Sequence, residues 1–305
     1  MKLAFTVDHL PLRARAYRHA FKSGHGGSQG PLTQLLWRIL FYGLEYADLD
    51  NGEIVATLPV RGNPRTLRLR AANRQFFALY FHKFRNGYEF EVAQSILTFL
   101  PDDGVFADLG SNWGYFPLLV ASNAAFNGTV HAFEPFPATY EDLAKVVAQA
   151  GLEQWVHTHP IAIGETAGEA RMISRRHSGL ARVVAGSTGT VVQVRPLDSF
   201  GWERVDVVKV DVEGQEAAVL RGARETLARC RPVVIFENNL ADGVAAEESL
   251  KLLMAFGYDI FHPEYDQRYV LRRVLDGSRA EFPAYTNLIA APSERAAELA
   301  DRFEV

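Results

Sequence analysis

Two acidic residues that close short apolar runs are the first features with chemical consequences. Asp108 lies near the end of Val105–Leu109 and leads into Asp108-Leu-Gly-Ser-Asn-Trp-Gly114, and Glu134 closes the run that begins at Thr129. A carboxylate placed like Glu134 can accept hydrogen bonds from both hydroxyls of a ribose, and Pro135 ends the strand behind it. Gly110 permits a tight turn, Gly114 permits close helix packing, and Ser111 and Asn112 open a helix whose amides face the crevice. The Gly-x-x-x-Gly spacing lacks the third glycine of dinucleotide sites, so close approach to a pyrophosphate is not provided for. The pattern favours an adenosine ligand without a pyrophosphate, and Asp108 offers negative charge to a cationic half of it, such as the sulfonium and ammonium of S-adenosylmethionine.

These residues need a scaffold that brings strand ends together, and the chain from Val105 onward supplies one. Short apolar runs alternate with longer amphipathic ones, the signature of a parallel sheet covered by helices. The runs predict strands at Val105–Leu109, Thr129–Glu134, Trp155–Ala162, Val205–Asp211 and Pro232–Glu237. Helices are expected at Asn112–Phe126, Phe136–Ala150, Glu213–Cys230 and Ala241–Phe256. Tyr258–Phe261 and Thr286–Ala291 add a final antiparallel pair, and residues 164–198 read as an inserted hairpin and loop. Upstream, Leu32–Leu44 and Tyr88–Leu100 have helical spacing, and Glu53–Arg70 alternates like a hairpin turning at Gly62-Asn63-Pro64. The division expected is an N-terminal arm and small mixed extension, residues 1–85, and a main α/β domain, residues 86–305.

Six pieces in order carry a resemblance to a known family: Gly87-Tyr-Glu89, Phe106–Tyr115, Ala132-Phe-Glu-Pro135, Pro196-Leu-Asp198, the run Val205–Glu216 continuing to Leu220-Arg-Gly-Ala223, and Pro232–Glu237. The most specific is Lys209-Val-Asp-Val-Glu-Gly-Gln-Glu216. Together they resemble the FkbM-type S-adenosylmethionine-dependent methyltransferases over roughly residues 85–240. The resemblance implies a seven-stranded Rossmann-like (class I) methyltransferase sheet with helices on both faces and an N-terminal extension. It also implies methyl transfer, usually to oxygen of a sugar or other hydroxylated metabolite, and a place for Glu89 near the methionine end of the cofactor. Trp113 departs from the smaller aliphatic residue common in the family, and residues 1–75 have no counterpart in it.

In such a reaction the protein aligns donor and acceptor and removes a proton from the acceptor. Asp211 ends the fourth strand and Glu237 with Asn238 ends the fifth. These three resemble the magnesium ligands of catechol O-methyltransferase-like enzymes, where a hard ion orients a diol and lowers its pKa. Asp211 alternatively contacts the cofactor or caps the following helix. Without a metal, proton transfer falls to Glu213, Lys209 or His177, the last in the polar insertion. Ala162, ending the third strand, completes the cofactor-facing set.

Composition narrows the remaining choices. The net charge of −4 gives no general attraction to nucleic acid, and no apolar run reaches the roughly 20 residues of a membrane span, so a cytoplasmic protein is expected. Cys230, the lone cysteine, excludes an intrachain disulfide and reads as a core residue. Lys2, Arg13, Arg15, Arg18 and Lys22 face one acid, Asp8, and read as a solvated helix face before a glycine-rich linker, Ser23–Gly30. A homo-oligomer could form through this extension. Two other readings stand beside methyl transfer: a nicotinamide-dependent oxidoreductase, and a non-enzymatic cofactor-binding module.

Overall fold

The computed structural model describes residues 3, 5–20, 31–47, 49, 52–81, 84, 87–174, 181–184, 188–239, 244–266, 268–274 and 285–295. Its N-terminal elements are β1 (Thr6–His9), α1 (Leu12–Ala20), α2 (Pro31–Tyr46), β2 (Glu53–Val60), β3 (Asn63–Arg70), α3 (Phe77–Tyr80) and α4 (Phe90–Phe99). The main domain begins with β4 (Val105–Leu109), α5 (Tyr115–Ala121), β5 (Thr129–Phe133), α6 (Pro137–Ala150) and β6 (Val156–His159). An insertion follows, with β7 (Ala162–Ile163), β8 (Gly168–Ser174), β9 (Ala181–Val184) and β10 (Thr190–Arg195). The chain ends in β11 (Val207–Val210), α7 (Glu216–Arg221), α8 (Arg224–Cys230), β12 (Val233–Asn239), α9 (Val244–Ala255), β13 (Tyr258–Asp266), β14 (Arg268–Arg273) and β15 (Tyr285–Pro292).

The central sheet has eight strands in the order β14-β13-β15-β12-β11-β4-β5-β6. Strands β4, β5, β6, β11 and β12 are parallel, and β15 runs antiparallel between β12 and β13. This is the expected Rossmann-like α/β sheet, with β14 as an added edge strand. Every residue of β11, Val-Val-Lys-Val, is buried, as befits a parallel strand covered on both faces.

Four expected boundaries shift for physical reasons. The third strand stops at His159, and Ala162–Ile163 joins β10 in a separate four-stranded sheet, order β7-β10-β8-β9. The first helix begins only at Tyr115, because Asn112 (φ 51°) and Gly114 (φ 92°) are in the left-handed region. The helix expected over Glu213–Cys230 is two, parted at Gly222, where a Cβ would lie 2.0 Å from the Gly164 carbonyl oxygen of the insertion. The expected hairpin is present, but its turn is Arg61-Gly62, both at positive φ, rather than Gly62-Asn63-Pro64.

The N-terminal extension shares the core of the main domain. Ile54, Leu58, Leu67 and Leu69 belong to the same buried cluster as Phe106, Leu119 and Val130. Polar contacts reinforce the joint: Arg70 and Asn73 donate to the two Asp142 carboxylate oxygens at 2.7 and 2.9 Å, and Lys145 reaches Glu53 at 3.2 Å. Nor is α1 simply a solvated basic face, since Arg13 is buried and pairs with Glu45 at 3.9 Å. The linker Ser23–Gly30 lies outside the described residues.

Arg61 fastens the hairpin tip to the end of α5. Its guanidinium donates to the carbonyls of Ala121, Asn123, Phe126 and Ala124 at 2.8–3.3 Å and lies 4.0 Å over the Trp155 ring. Carbonyls after a helix have no partner within it, so one cation satisfies several at once. Replacing Arg61 by Ala is expected to cost about 3 kcal/mol of stability in urea unfolding while leaving the secondary structure content unchanged.

Candidate active site

Strand register gathers the polar residues of distant sequence into one row. Leu109 is level with Phe133 on β5 and with Val210 on β11, and Val210 is level with Phe236 on β12. The next residues along are therefore neighbours at the carboxyl edge of the sheet: Glu134, Gly110, Asp211 and Glu237. Glu237 in turn pairs with Asn287 on β15. All five line one cavity of about 220 Å³, with Glu89, Ser111, Asn112, Pro135, Ala162, Lys209 and Glu213 also in its wall. A crevice outside the carboxyl ends of parallel strands is where open α/β sheets bind ligands.

The turn after β4 is fixed by backbone packing. The amides of Gly110 and Ser111 both donate to the Phe133 carbonyl, at 3.0 and 2.8 Å, and Ser111 Oγ donates to the Asp108 carbonyl. Gly110 has φ 86°, and a Cβ there would stand 1.9 Å from the Asp211 carbonyl oxygen, so only glycine lets the turn cross the end of β11. Gly114 serves helix packing, since its Cβ would meet Leu143 of α6 at 2.6 Å. Glu134 is held by amides on either side: Asn112 N donates to Oε2 at 3.1 Å and Phe136 N to Oε1 at 2.8 Å. Each oxygen keeps further lone-pair capacity for a ligand hydroxyl.

The motif run Lys209–Glu216 folds into a strand end and a tight loop. Lys209, 3% exposed, donates to Asp211 Oδ2 at 2.9 Å and lies 3.8 Å from Asp108 Oδ1. Glu213 (φ 54°) and Gly214 (φ 90°) turn the chain, and Glu216 Oε1 accepts from the amides of Val212 and Gly214. Asp198, from the Pro196-Leu-Asp198 motif, plays a similar structural part by accepting from the amides of Glu225 and Thr226 at the start of α8.

Among the described residues lining the cavity, five are carboxylates and Lys209 is the single cation. Burial, and then repulsion from Asp211, raises Glu89 to about 7 despite the pull of Lys209. Burial likewise raises Glu134 to about 7 against its two amide bonds. Glu237 is pushed up to about 8 by burial and by Asp211, Glu213 and Glu89. Burial works against the Lys209 ammonium, but Asp211, Asp108 and Glu89 outweigh it and hold its pKa above the ordinary value.

Several expected roles change. Lys209, held charged by its carboxylates, has no capacity to act as a base near neutral pH. Asp108 is fully buried, outside the cavity wall, and raised to about 6 by its burial, partly offset by Lys209, so it supports Lys209 from behind. The metal triad does not converge: β12 continues to Asn239, which makes Glu237 and Asn238 neighbours within a strand, facing opposite sides. Asn238 is buried away from the cavity. Among the described residues no group of three or more His, Cys, Asp or Glu side chains could hold a metal ion. His177 lies outside the described residues.

The cavity wall also contains residues that were not expected to have a role in the site. Gln75 comes from the turn before α3, and its carbonyl accepts from Trp113 Nε1 at 3.2 Å. Tyr88, Tyr115 and Phe116 form an aromatic wall beside Lys209, whose Nζ is 5.1 Å from the Phe116 ring centre. Met172 of the insertion faces the same space. Trp113, which departs from the smaller residue of the resembled pattern, packs edge-on to Tyr115 of this wall at 5.8 Å.

Comparison with known proteins follows the same segment. The model of the family described as the methyltransferase FkbM domain matches residues 103–260. Methyltransferase 1 of Beauveria bassiana is 27% identical over 150 residues, 40% of this chain and 59% of the relative, so the chain spans less than two thirds of that relative's length. Among solved structures, the FkbM methyltransferase from Methylobacillus flagellatus KT is 16% identical, with a TM-score of 0.44, covering 62% of this chain and 44% of its own. An O-methyltransferase from Bacillus cereus, in complex with SAH, is 14% identical, with a TM-score of 0.40, covering 66% of this chain and 78% of its own. The family match takes in more than half of the chain and the strand-end row from Gly110 to Glu237; the chain belongs to the FkbM methyltransferase domain family.

Proposed function

We propose that this chain transfers a methyl group from S-adenosylmethionine to a hydroxyl oxygen of a small metabolite or sugar. The observation that carries this reading is the surplus of negative charge in the cavity: five carboxylates against one lysine that is already paired. A ligand with a sulfonium and an ammonium is favoured by that field. A nicotinamide dinucleotide would bring a doubly anionic pyrophosphate into it, which weighs against the oxidoreductase.

When bound, the donor supplies a methyl carbon activated by the adjoining sulfonium. Glu134, fixed by two amides, accepts from the ribose hydroxyls. Glu89 and Asp211 face the cationic end, and Lys209 holds Asp211 in place. Glu237 stands beside Asp211, one strand further from the ribose acid, and accepts the proton of the incoming hydroxyl. Its raised pKa suits that task, because a base works best when its pKa is near the working pH. Burial first, then repulsion from Asp211 and Glu213, holds that value up.

Calorimetric titration should show binding of S-adenosylmethionine and none of NAD, and Glu134→Ala should weaken binding tenfold to roughly a hundredfold. Binding of NAD in preference would overturn the reading. With methyl-labelled donor and a panel of glycosides and polyols, the product should be a methyl ether that survives mild alkali. A labile ester, or label on nitrogen, would exclude a hydroxyl acceptor. On the acceptor so found, Glu237→Gln should lower kcat by about 10² or more while leaving donor affinity within about threefold; an unchanged kcat would remove Glu237 from proton transfer.

A further inference from the structure

Helix α2 is apolar on the side that faces away from the protein. Its inner side packs Trp37, Phe41 and Leu44 against α1. On the outer side Leu32, Leu35, Leu36, Ile39 and Tyr46 are 69%, 52%, 58%, 60% and 87% exposed. Steps of three, four and seven keep these residues on one stripe of a helix. With Leu40 and Tyr42 at its margins the stripe offers roughly 900 Å² of side chain, more than the few hundred typical of a monomer and close to the ~800 Å² each partner gives to a stable complex.

Gly43 sits within the stripe and adds an independent indication. A Cβ built there meets nothing within 4 Å, so the chain's own fold has no need of a glycine at this point. Glycine inside a helix is unfavourable relative to alanine. The small residue is useful where a second backbone approaches closely. The charges of α2 leave the stripe clear: Arg38 Nε donates to the Ala20 carbonyl at 3.2 Å, and Glu45 pairs with Arg13 and Arg74. A helix built to lie on anionic lipid carries a row of cations along its polar face, whereas α2 carries Arg38 alone, engaged with the Ala20 carbonyl.

The geometry points to α2 as the interface of a two-fold symmetric homodimer, with the two helices antiparallel and Ile39 packing on Ile39 about the axis. In that arrangement Leu35 of one copy falls opposite Gly43 of the other, Leu36 opposite Tyr42, and Leu32 opposite Tyr46. The spacing is symmetric about residue 39, as an isologous contact requires. The interface lies outside the cavity and does not rest on the methyl-transfer reading.

Sedimentation equilibrium of the full chain over a wide concentration range tests it. The expected mass is twice 34.0 kDa. Ile39→Glu and Gly43→Leu should each raise the dimer dissociation constant at least tenfold, with helix content and melting temperature close to wild type, because both sites are open in the monomer. A wild-type chain that stays monomeric throughout, or a dimer that persists in both variants, would overturn the proposal. So would a monomer that co-sediments with phosphatidylserine vesicles, which would give the stripe to a lipid surface instead.

Discussion

Lys209 lies level with Asp108 on the neighbouring strand and two residues from Asp211; the sheet and its helices draw Lys209 and Asp108 out of water, while Asp211 stays partly exposed at the sheet edge. A buried ammonium is tolerated only where anions surround it closely, and buried carboxylates are tolerated only where a cation answers them. One lysine does not answer all the acids present. Glu89, Glu134, Asp211 and Glu237 converge on the same space, and burial first, then the uncompensated negative charge, raises the protonation of Glu89, Glu134 and Glu237. The cavity is thus tuned by an imbalance of charge that favours a cationic ligand.

The rest of the architecture keeps that imbalance in place. Parallel register lines up the ends of β5, β4, β11 and β12, so β5, β11 and β12 each deliver a carboxylate to the edge and β4 delivers the turn at Gly110. The tight turn at Gly110 lets β4 stop where β11 continues to Asp211. Glu216 and Asp198, both acids of the motif runs, hold amides before α7 and at the start of α8 and stay out of the cavity. The N-terminal hairpin, fused to the core through Leu58, Leu67 and Arg61, carries Gln75 to the opposite wall.

The parallel strands were legible because burial on both faces leaves short unbroken apolar runs, and their terminal acids followed directly. Glu134, Asp211 and Glu237 were found in this way. Which strands lie side by side was not legible, so the sequence showed no reason for Asp108 to face Lys209 rather than the ligand. The metal triad failed on the same ground: Glu237 and Asn238 look like one cluster until the strand is seen to run through both, which sends them to opposite faces. Gln75 was out of reach because tertiary packing places it, and no periodicity announces it. The resemblance, by contrast, rested on the loop after β11, whose positive-φ residues and Glu216 cap explain why such a run is so specific.

The charge imbalance is tested most directly by proton linkage. Carboxyls raised to about 7 or 8 disfavour folding increasingly as pH rises from their unfolded value of 4.5 through that range. A bound cation favours their ionised forms, lowers these values and so drives protons off. Calorimetric titration with S-adenosylmethionine between pH 6.0 and 7.5, in two buffers of different ionisation enthalpy, should therefore show release of about one proton and affinity that rises by up to about tenfold per pH unit. Proton uptake, or an affinity that falls as pH rises, would contradict a site built on surplus carboxylate charge.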